Sequence, residues 1–181
     1  MESISSVCLE NGANYLADTE LFEIRSRLKE QGIELHVTNN TYPKASLNDI
    51  SIFISQNVTE LIITGLIMPM AYDIIKNTIK FVVNKIKENV KIKQSGEIRE
   101  AEPSICYKTQ NGEIIAPIPK GLTDYQFDVY LDLIRDGIQT IKYNPSEKYE
   151  RFIIEPRDTY ENIEVKTILQ YAQEQSKKTK K

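Results

Sequence analysis

Apolar residues recur at helical spacing in the middle of the chain. From residue 71 to residue 86 they fall three or four positions apart, with charged and amide side chains opposite them. This 3.6-residue period predicts an amphipathic helix over 71–87. The stretch from Val58 to Ile86 is predicted as one long central helix that begins at the capping-box sequence 57–60. The first part of this helix is expected to end or kink at Pro69.

Three other segments show helical patterns. Residues 15–30 carry leucine and isoleucine on roughly one face and stop at Gly32. A helix is predicted to begin at Thr123, where Gln126 completes a capping box, and to run to about residue 141. Residues 160–175 are predicted as a last helix from the spacing of their apolar residues.

Alternating and β-branched runs predict strands at 33–37, 49–55, 90–94 and 151–155. The strongest hairpin signal is 104–119, where Asn111-Gly112 suits a two-residue type I′ turn and places Tyr107 opposite Ala116. Pro117 and Pro119 cannot donate to a ladder and predict that the second strand of this hairpin is an edge strand, at least at its end.

The order of these elements predicts an α+β fold with a mainly antiparallel sheet. Residues 49–55, 90–94, 104–109 and 113–118 are expected in one sheet, with the β-hairpin (104–119) covered by the long central helix. We expect a single domain over residues 1–175, followed by a basic disordered tail over 176–181.

Composition and charge narrow the class of protein. The chain has 181 residues, of which 40% are hydrophobic, so it can bury a core, and its formal net charge of −3 argues against a nucleic-acid partner. The most apolar window, 61–72, is much shorter than the roughly 20 residues of a membrane span, so no membrane association is expected. The first 15 residues do not resemble a secretory signal, and Cys8 and Cys106 form no disulfide framework, so we expect a cytoplasmic protein.

Few residues offer catalytic chemistry. His36 is the only histidine, and its alternating position predicts a surface side chain rather than a general base. The two cysteines lack a paired histidine and are expected to be inert. Glycine-rich phosphate loops and a nucleophile elbow are both absent from the sequence, and we therefore expect no enzyme activity and no cofactor.

Two acidic patterns keep an enzymatic alternative open. Asp158 with Glu164-Val165-Lys166 resembles the acid…Glu-x-Lys signature of metal-dependent nucleases. The six-residue separation of Asp158 and Glu164 is too short for a strand, a turn and another strand, and Glu164 and Lys166 also lie in the predicted helix 160–175, so a charged helix face is the preferred interpretation. Glu97, Glu100 and Glu102 form the second cluster, in a polar loop without the residue order of a calcium site.

Other surface features fit protein interactions. Asp128, Asp132 and Asp136 repeat along one predicted helix face, which either meets a basic partner or is solvated. The chain also has ten tyrosines, several of them in its C-terminal third, and tyrosines suit interfaces and core edges alike.

The chain resembles the effector-associated constant components of bacterial conflict systems. The resemblance covers about residues 20–135 and is carried by LKEQGIELHV, the segment from VTELIITG to FVVNKI, VKIK, TQNGEIIAPIP and the helix opening at LTDYQFD. It implies a non-enzymatic accessory protein of a bacterial defence system and assigns no catalytic residues. A composition rich in isoleucine, asparagine and lysine also suggests a bacterial source with an AT-rich genome.

Two hypotheses follow. The first is a non-enzymatic protein-interaction or accessory module, and the second is a small metal-dependent hydrolase or nuclease. The first half of the central helix is apolar on more than one side, so either the helices 15–30 and 160–175 cover it, or a homo-oligomer or another protein does. The candidate interaction surface comprises Ile63, Ile67, Met68, Tyr125, Tyr130, Asp128 and Asp132.

Overall fold

A seven-stranded sheet forms the centre of the structure. The computed structural model describes residues 4–39, 49–94, 96–141, 150–157 and 162–178. The strands are β1 (Ser6–Glu10), β2 (Glu34–Thr38), β3 (Ile50–Ile54), β4 (Lys91–Gln94), β5 (Glu97–Glu100), β6 (Pro103–Thr109), β7 (Gly112–Pro117), β8 (Glu150–Arg157) and β9 (Asn162–Thr167). The helices are α1 (Asp18–Lys29), α2 (Gln56–Ile63), α3 (Pro69–Asn89), α4 (Asp124–Thr140) and α5 (Ile168–Lys178).

The large sheet is mixed rather than mainly antiparallel. Its strand order is β2-β1-β3-β6-β7-β8-β9. Among these described strands the pairs β1–β2, β3–β6 and β7–β8 are parallel, and the other three neighbouring pairs are antiparallel. The α+β class is therefore confirmed and the expected strand directions are wrong. Parallel neighbours arise because helices connect β1 to β2 and β7 to β8, and a crossover through a helix returns the chain in the same direction.

One face of this sheet, which we call the apolar face, carries the main core. Residues on this side of different strands, such as Val7, Ile52, Ile105 and Ile154, are fully buried there. Buried residues of α1, α2, α3 and α4 belong to the same core cluster, so these four helices pack on the apolar face. Buried residues of helix 71–87 and of the 104–119 hairpin belong to this same cluster. The helix that contacts β6 is α2, whereas α3 contacts α1 and α4, so the expected cover of the hairpin by one long central helix is not matched. The opposite face, which we call the polar face, carries Glu10, Ser51, Cys106, Glu113 and Lys166.

The predicted single central helix is two helices. Helix α2 ends at Ile63, Gly65 adopts a positive φ of 70°, and α3 begins at Pro69. Proline is favoured in the first turn of a helix because its missing N–H would have no partner there. Ser55 rather than Asn57 is the N-cap of α2, and the Asn57 side chain donates to the Ser5 hydroxyl.

The hairpin forms, but two residues away from the predicted register. Tyr107 faces Ile114 rather than Ala116, so the loop is residues 110–111. Neither loop residue has a positive φ, which excludes the type I′ turn. A shift of two residues leaves every side chain on its predicted face, which is why the burial pattern still fits. Strand β7 is not an edge strand over residues 112–115, where β8 pairs with it, but β8 stops before Pro117, as the predicted edge character at the end of the strand requires.

Strand β4 was expected in the main sheet and lies outside it. It pairs with β5 in a separate two-stranded antiparallel sheet. Arg99 on β5 anchors this small sheet by donating two hydrogen bonds, of 2.6 and 2.9 Å, to the Asp49 carboxylate just before β3. That pairing lowers the pKa of Asp49 even though burial alone would raise it.

The C-terminal region differs most from expectation. Residues 162–167 form strand β9, and the last helix begins only at Ile168. This helix, α5, contacts β8 and β9 and extends to Lys178, three residues into the expected tail. Its Glu174 binds Lys166 of the polar face, so α5 lies across the sheet from α2 and cannot cover it. Within the described residues, no helix combines the length and the apolar character that crossing a membrane requires.

Candidate functional site: an exposed apolar turn and two charged clusters

The turn between α2 and α3 exposes large apolar side chains. Leu66, Met68 and Met70 are 72%, 68% and 64% exposed. Two hydrogen bonds fix the backbone of this turn, because the N–H groups of Leu66 and Ile67 both donate to the Leu61 carbonyl oxygen. The apolar side chains are therefore presented on an ordered connection rather than on an unconstrained loop. We call residues 66–70 the apolar turn.

The predicted interaction residues divide between this turn and the core. Ile63 and Ile67 are half-buried and pack against the hydrophobic core, whereas Met68 points into solvent. Sequence periodicity placed all three on one apolar helix. It could not show that the helix breaks at Gly65 and turns Leu66, Met68 and Met70 outward.

A groove continues from the apolar turn along α3. Ile74 lies one helical turn after Met70, and it lines a groove of about 370 Å³ between α1 and α3. Ile24 of α1 and Phe81 of α3 add apolar walls, while Glu23 and Arg27 contribute charge at the rim. The groove has the shape and mixed lining that could accommodate a helix of another protein.

The two predicted interface tyrosines have different environments. Tyr125 is 74% exposed near the start of α4, whereas Gln139 near the end of α4 donates to the Ile62 carbonyl oxygen of α2. Tyr125 and the apolar turn thus lie at opposite ends of a helix about 25 Å long. Tyr130 was expected on the surface, and this is wrong. It is fully buried, and its hydroxyl donates to the Pro117 carbonyl oxygen.

Asp128 and Asp132 are not available to a basic partner in the way expected. Lys80 of α3 binds Asp128 at 2.8 Å, and Lys76 binds Asp132 at 3.2 Å. Both aspartates thus link α4 to α3 within the chain. The matched four-residue spacing, lysines on one helix and aspartates on the other, was the sequence signal that could have identified these pairs.

A cluster on the polar face gathers three carboxylates around Lys166. The lysine ammonium lies 2.9 Å from Glu155, 2.9 Å from Glu164 and 2.6 Å from Glu174. Glu155 and Glu164 face one another across β8 and β9, while Glu174 comes from α5. The hydrogen bonds that the Lys166 ammonium donates to these carboxylates, first of all the one to Glu174, raise the pKa of Lys166, which stays charged. We call these four residues the Lys166 cluster.

The structure overturns one objection to the acid…Glu-x-Lys pattern, because Glu164 and Lys166 lie on strand β9 rather than on a helix. Asp158 lies outside the described residues. The carboxylate that approaches Lys166 from β8 is Glu155, which sequence reasoning did not single out.

A second charged cluster surrounds Glu113 on β7. Its carboxylate is almost fully buried and contacts the Lys108 ammonium and, at 2.6 Å, the Arg151 guanidinium. Burial would raise the pKa of Glu113, but these partners outweigh burial and lower it. The Cys106 thiol donates to the same carboxylate, and burial raises the pKa of this thiol to about 12. Cys106 is therefore a protonated structural thiol.

The remaining candidate residues do not converge on a catalytic arrangement. His36 is half-exposed, with Glu34 3.5 Å away. Cys8 and Cys106 lie on the same face of the sheet with β3 between their strands, and at about 9.6 Å between Cα atoms they are too far apart for a disulfide.

The predicted acidic loop forms a strand rather than a cluster. Glu97 and Glu100 are exposed at opposite ends of β5, and Glu102 pairs with Lys120 at 2.8 Å. In the residues that the structure describes, no group of three or more histidine, cysteine, aspartate or glutamate side chains could hold a metal ion. Comparisons with protein-family models, curated proteins and solved structures find no match for this chain.

Proposed function

We propose that the protein is a non-enzymatic interaction module that binds another protein through the apolar turn. The observation that carries this proposal is the exposure of three large side chains, Leu66, Met68 and Met70, within five consecutive residues. Exposed apolar groups of this size, presented together, are typical of binding surfaces. Methionine suits such a surface because its flexible, polarisable side chain adapts to a partner.

The neighbouring groove supports the same function. The α1–α3 groove begins one helical turn beyond Met70, so a partner could fix its own apolar side chains on the turn and lay a helix along α3. We favour a different protein over a second copy as the occupant. Three side chains alone provide much less than the roughly 800 Å² per partner that a stable interface buries, so the occupant must also fill the groove, as an inserted helix of another protein would.

Site-specific photo-crosslinking in the source cells would test this function. A photoreactive amino acid in place of Met68 should give one discrete crosslinked product, and adding Leu66→Glu should abolish that product. The same amino acid in place of Tyr125, which is equally exposed at the far end of α4, is the matched control. Equal crosslinking from both positions, or none from position 68, would contradict the proposal.

The narrower role of an accessory component in a bacterial defence system is also a proposal. Its support is the resemblance of residues 20–135 to effector-associated constant components. Identification of the crosslinked product would test it directly, since a partner unrelated to defence would contradict it.

The alternative of a metal-dependent hydrolase has one observation in its favour, the convergence of Glu155 and Glu164 beside Lys166. The lysine ammonium already binds both carboxylates, so a metal ion would have to displace it in order to bind there. Nuclease and phosphatase assays with Mg²⁺ and Mn²⁺ would test this alternative. Metal-dependent turnover that Glu164→Gln abolishes would establish the alternative in place of the interaction module.

A further inference from the structure

Strand β9 forms one edge of the main sheet. It pairs with β8 over all six of its residues, and no described strand lies on its other side. An edge strand of this length presents backbone donors and acceptors that another strand can use. Which residues present them depends on the direction of their N–H groups.

Two independent contacts show that direction. The N–H group of Thr167 donates to the Gln170 side chain and not to β8. Pro156, which has no N–H, is the β8 residue opposite Ile163. Because residues of an antiparallel strand alternate between bonding and not bonding their neighbour, Ile163 and Val165 direct their N–H and C=O groups away from β8. The edge therefore offers two donors and two acceptors in the spacing of a β-ladder.

A groove lies beside this edge on the apolar face. It has a volume of about 520 Å³ and lies between α4 and β9. Leu133, Gly137, Ile163 and Val165 provide its apolar lining, and Asp136, Thr140 and Glu164 provide its polar lining. Gly137 allows α4 to approach closely, since a Cβ there would come within 2.6 Å of the Ile163 Cδ1 atom. A strand added to β9 would direct alternate side chains into this groove.

The polar face of the same edge carries the Lys166 cluster. In this cluster three carboxylates surround one ammonium, so among these four groups the negative charges outnumber the positive one. Glu164 lies between the two outward-facing residues of β9, and its side chain is on the polar face. The side chain opposite Glu164 in an added strand would therefore lie beside the Glu164 carboxylate.

From this geometry we propose that the β9 edge binds an extended peptide segment of a partner, as an eighth strand in which apolar and basic residues alternate. Residues opposite Ile163 and Val165 place apolar side chains in the α4–β9 groove, and the residue between them places a lysine or arginine against Glu164. Backbone pairing gives affinity and the alternating side chains give specificity. This surface is separate from the apolar turn, so peptide binding at β9 can be tested independently of the proposed function.

A short synthetic peptide provides the probe. We would use a blocked, fluorescently labelled heptapeptide in which three valines alternate with two lysines between terminal threonines. Fluorescence anisotropy should show saturable binding to the full chain. Replacing both lysines by glutamate should weaken binding at least tenfold. A third peptide keeps both lysines but has proline at the central valine, and it should bind no better than the glutamate peptide because it cannot form the ladder.

Substitutions in the chain locate the binding. Val165→Pro removes an outward N–H group and leaves the bonds that Glu164 and Lys166 form with β8, so it should weaken lysine-peptide binding at least tenfold. Val37→Pro is the matched control in β2, the opposite edge of the sheet, where Arg25 and Lys29 lie near the strand. Glu164→Lys keeps the backbone intact and leaves two carboxylates and two ammonium groups in the cluster, so it should abolish the preference for the lysine peptide over the glutamate peptide.

Several outcomes would overturn the proposal. These are no saturable binding of the lysine peptide, equal binding of the proline-containing peptide, or an unchanged affinity in Glu164→Lys. If Val165→Pro lowers the melting temperature, the Glu164→Lys result and the amide hydrogen exchange of Val165 in the wild-type chain decide instead. The Val165 amide should exchange at least tenfold more slowly with the lysine peptide bound, and unchanged exchange would also contradict strand addition.

Discussion

The phenol of Tyr72 on α3 donates a 2.8 Å hydrogen bond to the backbone carbonyl oxygen of Leu131 on α4. Tyr72 is buried, and burial raises its pKa, so the hydroxyl remains a donor throughout the neutral range. Arg135 lies over the tyrosine ring, with its guanidinium carbon 5.1 Å from the ring centroid. The Tyr72 side chain thereby links α3 to α4 at a buried point of contact between the two helices.

Tyr72→Phe should lower the free energy of unfolding by about 1 kcal/mol. The substitution removes one hydrogen bond and keeps the ring, and Leu131 can still accept its intrahelical bond. Urea denaturation monitored by circular dichroism would measure the change. Tyr125→Phe, which alters an exposed tyrosine, should stay within about 0.5 kcal/mol of wild type. Equal effects from both substitutions would show that the helix-to-helix bond contributes nothing.

Ile79→Ala should cost about 2–5 kcal/mol, since Ile79 is buried in the core between α3 and the sheet. Met70→Ala in the same helix is the control. It removes a similar volume from an exposed position and should change stability by less than about 0.5 kcal/mol. Thermal melts of Ile79→Ala that match wild type would contradict the burial of this helix face.

Helices were the most predictable elements because each has a single buried face. In α3, the apolar positions that predict the helix are the same positions that the core covers, among them Ile75, Ile79 and Val83. The hairpin strands were equally predictable. Their register was not, because shifting the pairing of Tyr107 by two residues leaves every side chain on the same face of the sheet. The alternation of apolar and polar residues thus shows which face of the sheet each side chain occupies, but not which residue of the neighbouring strand it pairs with.

Strand directions could not be predicted for a related reason. Strand β3 pairs with β6, although α2, α3 and the small β4–β5 sheet lie between them in the chain. Local patterns contain no information about such a distant pairing. The helix prediction for residues 162–167 was wrong for another reason. These six residues alternate polar and β-branched side chains, as a strand does, but the helical spacing around Leu169 predicts a helix that also includes them.

The candidate sites were predictable only in part. An apolar stretch too long for one helix face left two alternatives open, cover by the helices 15–30 and 160–175 or a partner that contacts Met68 and Met70, and the structure exposes both methionines. The apolar turn itself depends on the helix break at Gly65. The Lys166 cluster depends on residues from β8, β9 and α5 meeting on one face. No spacing along the sequence would have brought Glu155 and Glu174 to the same lysine.

Lys166→Met should destabilise the chain by about 1–3 kcal/mol and loosen α5 from the sheet. The substitution leaves three carboxylates close together without the ammonium that binds them. Guanidinium denaturation gives the loss of stability, and limited proteolysis of α5 gives the loosening. Lys91→Met is the control, because Lys91 is half-exposed and its contact to Glu100 is 4.0 Å long, so it should change stability by less than about 0.5 kcal/mol. Unchanged stability and unchanged cleavage in Lys166→Met would contradict a tethering role.

Stability in acid should depend on Glu113. The folded pKa of this carboxyl lies below its ordinary value of 4.5, because the hydrogen bonds from Lys108, Cys106 and Arg151 outweigh the effect of burial. A depressed folded pKa means that the unfolded chain binds the proton more readily. The stabilisation is therefore fully present above the unfolded pKa and is lost as the pH falls through the folded pKa.

Glu113→Gln should therefore be less stable than wild type at pH 7, and its stability should fall less between about pH 5 and pH 3. The glutamine keeps the shape of the side chain but cannot form an ion pair with Lys108 and Arg151. Urea denaturation at half-unit pH intervals would measure both differences. Glu97→Gln, at an exposed position of β5, should follow the wild-type pH profile throughout. If the wild-type and Glu113→Gln curves stay parallel down to about pH 3, Glu113 does not contribute to acid unfolding, and the drop in wild-type stability must come from other carboxylates such as Asp49.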